Sequence, residues 1–329
     1  MRPNRVHIIA PANPLGPEAA RFGFRSIDTY VAFAREHLPR PLRLTCSLRV
    51  LKAVEREFHG GRNDDRLRIA DLQGALSDPR TLAIVATNGG AYFARILPHL
   101  DFSPLARRTA PLYAMGFSEI TGLVNLVASF RCGRGLYWLN PNYLVHKIQP
   151  AGAAREALAE FWRTLPAVLN GAAPADTTYV PFGPIEGRLA SGRLRPGPVR
   201  VVGGCLSVLA AVAGGEIGRR IRPRGHWLAI EDIKETPYRI DRFLATLKIA
   251  GWFERCVGVL VGDFRSGHTD TQPAVLELLR YHLPDALRTP VVTTRSFGHT
   301  WPLVPLPINQ PLSLGLRRGN VCLAPVEAG

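Results

Sequence analysis

The sequence predicts an α/β protein, with an open parallel sheet in its first half and a second α/β block toward its C-terminus. Three observations carry this expectation. Short, continuous apolar runs of the kind found in parallel strands covered on both faces recur along the chain, and several end abruptly in glycine or a polar residue. Segments with helical apolar spacing follow several of these runs, the β-loop-α alternation of an open parallel sheet. A stretch rich in Gly, Pro, Ala and Arg, 170–198, separates the two halves.

Taken in order, Val6–Ala10 reads as a buried strand and Ser26–Glu36 as a helix. Arg66–Leu76 reads as a helix with Leu67, Ala70, Leu72 and Leu76 apolar. Leu82–Ala86 is a strand ending in Thr87-Asn88-Gly89-Gly90, with a helix expected through Ile96-Leu97. Pro111–Met115 is the next strand. After it, Ile120, Leu123, Val124 and Val127 give the i, i+3, i+4, i+7 stripe of one helix face starting at Glu119. Ala151–Leu169 is expected to be helical and Asn170–Pro198 to be a connector. The second block runs through the strand Val199–Val202, the turn Gly203-Gly204-Cys205 and the apolar segment Leu206–Val212. Trp227–Ile230 is a strand ending in Glu231-Asp232, Asp241–Ala250 a helix and Val257–Val261 a strand. Val291-Val292 leads into Arg295-Ser296-Phe297-Gly298-His299. The expected division is 1–150 for the first domain, 151–198 for the connector and 199–329 for the second domain.

A length of 329 residues favours two domains over one. No apolar run reaches the length of a membrane span, and the N-terminus reads as a first strand rather than a signal peptide. The five cysteines are odd in number, scattered and without a CxxC pair. Reduced thiols and a cytoplasmic setting are therefore expected, with neither a disulfide framework nor a zinc knuckle. The net charge of +15 is carried mostly by arginines spread along the chain. The densest group, Arg219-Arg220-Ile221-Arg222-Pro223-Arg224, is short, broken by proline and free of interleaved aromatics, so nucleic-acid binding stands well behind solvated surface charge. Gly89-Gly90 has no GxxxxGK[ST] or GxGxxG around it, which argues against a nucleotide fold. Apart from His299, the histidines show no ligand spacing, so neither metal nor cofactor is expected.

Ser118 stands between the third strand and its helix. A serine there either caps the helix or sits on a nucleophile elbow whose tight turn exposes the hydroxyl. Three polar residues stand at or just past the ends of apolar strands: Ser118, Glu231 and His299. Acyl transfer needs this set, because a hydroxyl is a weak nucleophile until a base takes its proton, histidine titrates near neutrality, and a carboxylate fixes its tautomer. Sequence spacing alone leaves open whether the three side chains meet.

With their flanks, these residues resemble the LD-carboxypeptidase family of serine peptidases (family S66), which also contains microcin C self-immunity peptidases. The resemblance runs through Ile8-Ile9-Ala10-Pro11-Ala12, Arg68-Ile69-Ala70-Asp71-Leu72, Gly89-Gly90 and Gly116-Phe117-Ser118-Glu119-Ile120-Thr121. It continues through Gly203-Gly204-Cys205, Glu231-Asp232 with Pro237-Tyr238-Arg239-Ile240-Asp241-Arg242, and Phe297-Gly298-His299. It implies a flavodoxin-like N-terminal domain carrying the serine and a β-rich, swivelling-type C-terminal α/β domain carrying Glu and His. It implies Ser118 as nucleophile, His299 as general base and acid, Glu231 as the residue orienting the imidazole, and the backbone N–H groups of Gly90 and Glu119 as the oxyanion hole. It also implies a homodimer acting on a short peptide, in the leading case a cytoplasmic muropeptide that loses its terminal D-alanine.

The chain departs from the family pattern at Glu119 (usually Asp), Asn88 (often Arg), Ala91 (often aromatic) and Cys205 (commonly Asn). Leu136–Asn142 stands where a His-Gly-Pro stretch is expected. These changes are expected around the substrate, affecting specificity more than mechanism. They keep open a microcin-type immunity peptidase or an acyl-transfer enzyme of a biosynthetic pathway, with a catalytically silent binding protein as the reading of a different class. Cys205 is expected to be a small buried thiol, with a reactive cysteine as the alternative.

Overall fold

The computed structural model describes residues 2–13, 15–52, 65–285 and 287–326. His59, one of the histidines given no role above, lies outside them. The first five strands are β1 (Arg5–Ile9), β2 (Arg43–Cys46), β3 (Thr81–Ala86), β4 (Leu112–Gly116) and β5 (Gly133–Tyr137). They pair in parallel in the order β2-β1-β3-β4-β5. This is the flavodoxin-like order, in which the chain reverses direction between β1 and β3 and leaves a crevice at the strands' carboxyl ends. Ala83, Ile84, Val85 and Ala86 have no exposed surface, as a strand covered on both faces requires. The helix Ile27–His37 starts on a capping box in which Ser26 and Thr29 satisfy each other's backbone N–H groups.

The second sheet holds β6 (Ile185–Ser191), β7 (Gly197–Val199), β8 (Val201–Cys205), β9 (Trp227–Ile233), β10 (Gly258–Ser266), β11 (Thr269–Asp270) and β12 (Val291–Thr294). The chain then returns to the first sheet, where β13 (Leu306–Ile308) pairs antiparallel with β5. It ends in the hairpin β14 (Leu312–Arg317) and β15 (Asn320–Pro325) of the second sheet. The order there is β7-β14-β15-β6-β12-β10-β9-β8, with β11 beside β10. Strands β8, β9, β10 and β12 run parallel and the rest antiparallel.

Two differences from the sequence expectation stand out. The 151–198 connector contains β6, which sits in the middle of the second sheet between β12 and β15, and most of β7 at its edge. In addition, 199–329 is not confined to one sheet, because β13 closes the edge of the first.

The two sheets meet around the helix Thr121–Ala128, all eight of whose residues are buried. Asn125 accepts from the Gly203 N–H at 2.9 Å and donates to the Gly203 carbonyl at 2.8 Å. The Cys205 N–H donates to Thr121 Oγ1 at 3.0 Å. Gly204 makes this approach possible, since a Cβ there would lie 2.5 Å from the Tyr137 ring and 2.7 Å from Thr121 Oγ1. The carboxyl ends of β4 and β9 are thereby brought face to face.

Candidate active site

Ser118 follows β4 through Gly116 (φ 153°) and Phe117. Its own φ is 61°, in the left-handed region that costs an L-residue about 1–2 kcal/mol. One 3-10 turn, Ser118–Ile120, separates it from the helix Thr121–Ala128. Among the described residues no backbone N–H donates to the hydroxyl, whose partner is His299, so the turn presents the hydroxyl rather than using it as a cap.

Ser118 Oγ lies 2.9 Å from His299 Nε2, and His299 Nδ1 lies 2.8 Å from Glu231 Oε2. The His299 backbone N–H also donates to Glu231 Oε2, at 3.1 Å. The three residues expected from sequence are thus one hydrogen-bonded file, with the serine from the first sheet and the other two from the second. Gly298 (φ 116°) permits the close approach, because a Cβ there would lie 2.9 Å from Glu231 Oε2. Glu231 has no exposed surface. Burial works to lower the proton affinity of His299, but the charge and hydrogen bond of Glu231 outweigh it, and the imidazole pKa is raised above its usual value.

Gly89 and Gly90 lie beside the serine. A Cβ on Gly89 would stand 3.1 Å from Ser118 Cβ, and one on Gly90 (φ 125°) would strike the Asn13 amide at 2.2 Å. The backbone N–H groups of Gly90 and Glu119 make no hydrogen bond among the described residues. The Glu119 carboxylate accepts from the N–H groups of Phe93 (2.9 Å) and Ala94 (3.1 Å), tying the segment after the glycine pair to the elbow. Burial pushes the Glu119 carboxyl pKa up against the pull of those two bonds.

Of the departures from the family pattern, Asn88, Asn140 and Asn142 line the cleft over Ser118, as expected of residues around a substrate, while Tyr137 lies beneath it. Tyr137, at the end of β5, is wholly buried. It accepts from the Ser118 N–H at 3.0 Å and donates to Glu231 Oε1 at 2.5 Å. The Asn140 amide, oriented to satisfy both its ends, accepts from the Gly89 N–H at 2.7 Å and donates to the Ala86 carbonyl at 3.3 Å. Segment Leu136–Asn142 therefore also braces the site from beneath. Its position at a strand's carboxyl end was the available signal, but Gly133-Arg134-Gly135 masks the strand in sequence.

Cys205 is the buried thiol expected. Its pKa is pushed well up by burial, then by Asp232 and Glu231, which leaves little thiolate for reaction. Burial, and then the Glu231 charge, push the Asp232 carboxyl up to about 6. Asp241 pairs with His282 at 2.8 Å, away from the file.

A cleft of about 530 Å³ opens over Ser118 and His299. Asn13, Gly90, Asn142, Lys147 and Lys234 contribute to its walls. The Lys147 amine lies 5.0 Å from the Tyr143 ring centre, and the Tyr143 hydroxyl donates to the His299 carbonyl at 2.9 Å. Among the described residues no cluster of three His, Cys, Asp or Glu side chains could hold a metal ion. No helix among them is long and apolar enough to cross a membrane.

A serine on a strained elbow, a histidine oriented by a buried carboxylate and a glycine-rich rim define the class: a serine hydrolase on a two-sheet α/β scaffold. The chain matches the LD-carboxypeptidase N-terminal domain over residues 6–133 and the C-terminal domain over 199–314. It is 31% identical to a putative carboxypeptidase of Streptomyces coelicolor over 97% of this chain and 93% of that one. It is 29% identical to a probable murein peptide carboxypeptidase of Bacillus subtilis, over 98% and 92% of the two chains. The solved structure of an MccF-like protein from Bacillus anthracis superposes with a TM-score of 0.67 at 18% identity, covering 99% of this chain and 98% of that one. The chain belongs to the LD-carboxypeptidase family and is a serine-type carboxypeptidase.

Proposed function

We propose that this protein removes the terminal D-alanine from a murein peptide, cleaving the amide bond between an L-centre and that residue. Ser118 Oγ attacks the scissile carbonyl as His299 Nε2 takes its proton. The oxyanion is received by the N–H groups of Gly90 and Glu119. Collapse breaks the C–N bond, His299 returns the proton to the departing amine, and D-alanine leaves. Water, deprotonated by His299, then hydrolyses the acyl ester and frees Ser118. Glu231 holds the imidazole in the tautomer that presents Nε2 to the serine and stabilises the imidazolium that forms.

The observation that carries this reading is the Ser118–His299–Glu231 file at the floor of an open cleft whose wall includes Gly89 and Gly90. The murein substrate is supported by the name of the Bacillus subtilis relative. Lys147 and Lys234 in the cleft wall suit a substrate that ends in a carboxylate. We also propose a cytoplasmic homodimer. All five cysteines are free thiols, which suits a reducing compartment. Ile249 and Tyr281, exposed on adjacent helices, offer apolar surface to a second copy.

The test is a substrate panel: murein tetrapeptide, the same peptide with L-alanine at its end, and an aminoacyl-sulfamoyl nucleoside. Release of D-alanine from the first alone supports the reading. Cleavage of the nucleoside amide alone assigns the protein to the microcin-type activity instead.

A further inference from the structure

Tyr137 bridges the nucleophile's backbone and the buried acid, and no step of the reaction above requires that it do so. It is the last residue of β5, in register with Gly116 on β4 and Leu306 on β13. Its ring packs against Phe117, which precedes the serine, at 6.3 Å, and against Phe297, two residues before His299, at 5.0 Å. Gly204 has no side chain to displace it. The hydroxyl is thus fixed between the two segments that carry the nucleophile and the base, and its bond to Glu231 crosses from the first sheet to the second.

We propose that Tyr137 is a positioning residue that latches the serine elbow to the orienting acid across the two sheets. The proposal rests on the reading of Ser118, His299 and Glu231 as the catalytic set. Two consequences follow from the hydrogen bonds. Glu231, cut off from water, has Oε1 satisfied by Tyr137 and Oε2 by His299, so neither oxygen is left unpaired in the interior. The Ser118 N–H, which would otherwise point free at a helix start, is occupied by Tyr137 Oη. That leaves Gly90 and Glu119 as the oxyanion donors.

Tyr137 also draws charge from the carboxylate that stabilises the imidazolium. Without its hydroxyl, Glu231 holds the His299 proton more tightly, and the base becomes neutral only at a higher pH. The other titratable groups acting here are Asp232 and Lys147 on His299, Cys205 on Tyr137, and Asp232, Cys205 and Tyr143 on Glu231. The substitutions below leave all four in place.

The test is Tyr137→Phe, which removes one oxygen and keeps the ring. The rate of Ser118 labelling by a fluorophosphonate is read against pH in four proteins: wild type, Y137F, E231Q and the double variant. Melting temperatures confirm that each is folded. The expected result is labelling about tenfold to a hundredfold slower in Y137F, as for loss of a hydrogen bond to a charged group. The acid limb of its pH profile should move upward, and Y137F should add less than about twofold once Glu231 is already Gln. A folded Y137F with an unmoved limb overturns the proposal, and so does an equal loss in the E231Q background. If Y137F does not fold, a fluorinated tyrosine placed at 137 supplies a stronger donor. The limb should then move downward, and an unmoved limb again overturns the proposal. Wild type that is not labelled on Ser118 overturns the catalytic reading itself, which separates the two failures.

Discussion

Ser118 is held where a glycine would be more comfortable, and this can be measured without any substrate. At φ 61° the serine bears about 1–2 kcal/mol of steric strain that glycine would not. Ser118→Ala and Ser118→Gly both remove the hydroxyl and its bond to His299. They differ only in the Cβ and in the unfolded chain, where glycine loses about 0.5–1 kcal/mol more entropy on folding. The balance leaves Ser118→Gly more stable than Ser118→Ala by about 0.75 kcal/mol, the centre of the roughly 0–1.5 kcal/mol span those two ranges allow. Urea unfolding followed by tryptophan fluorescence, with both variants fitted to a common slope, resolves such a difference as a shift in midpoint. A Ser118→Ala protein more stable than Ser118→Gly would refute the strained elbow and with it the account of how the hydroxyl is presented.

Other predictions address the surroundings of the serine. Glu119→Ala orphans the N–H groups of Phe93 and Ala94, so stability should fall by about 2 kcal/mol and kcat by roughly tenfold as Gly90 loses its brace; circular dichroism melts and steady-state assays check both. His299 must be neutral to accept the serine proton and its pKa is raised. Activity should therefore be present above that raised value and lost as pH falls through it, placing the acid limb of kcat/KM above pH 6.5, the ordinary imidazole value. A limb at or below that value contradicts the Glu231 pairing. Lys147→Met should raise KM for a peptide with a free terminal carboxylate by about tenfold and leave its C-terminal amide unaffected. Equal effects on acid and amide would remove Lys147 from substrate recognition.

Much of the first sheet was legible because β3 and β4 are largely continuous apolar runs that end at a turn, and β1 carries buried Val6, Ile8 and Ile9 around His7. Strand β2 was not, since within Arg43-Leu44-Thr45-Cys46 only Leu44 is buried and no pattern can form. Strand β6 was hidden in a stretch rich in Gly and Arg, where alternation survives only over Ile185, Glu186 and Gly187. Strand β13, three residues with Pro307 at its centre, is defined by its partner β5 rather than by its own composition. Ser118, Glu231 and His299 could be named because each is a polar residue at or just past the end of an apolar strand. That they meet is a property of how the sheets pack around Thr121–Ala128. Tyr137 carried no such mark, since an aromatic residue ending a strand reads as core until its hydroxyl is seen between Ser118 and Glu231. Glu119 appeared as a minor departure from the family pattern, whereas its length is what reaches two N–H groups on the neighbouring segment.

The central claim is that Ser118, activated by His299, cleaves the bond to a terminal D-alanine. Release of D-alanine from murein tetrapeptide by wild type and by Ser118→Ala, run beside fluorophosphonate labelling of the same samples, tests it most directly. The account predicts release and Ser118 labelling in wild type, and loss of both in the variant, with any residual release lower by at least about a thousandfold. Release that persists at the wild-type rate in Ser118→Ala would contradict it.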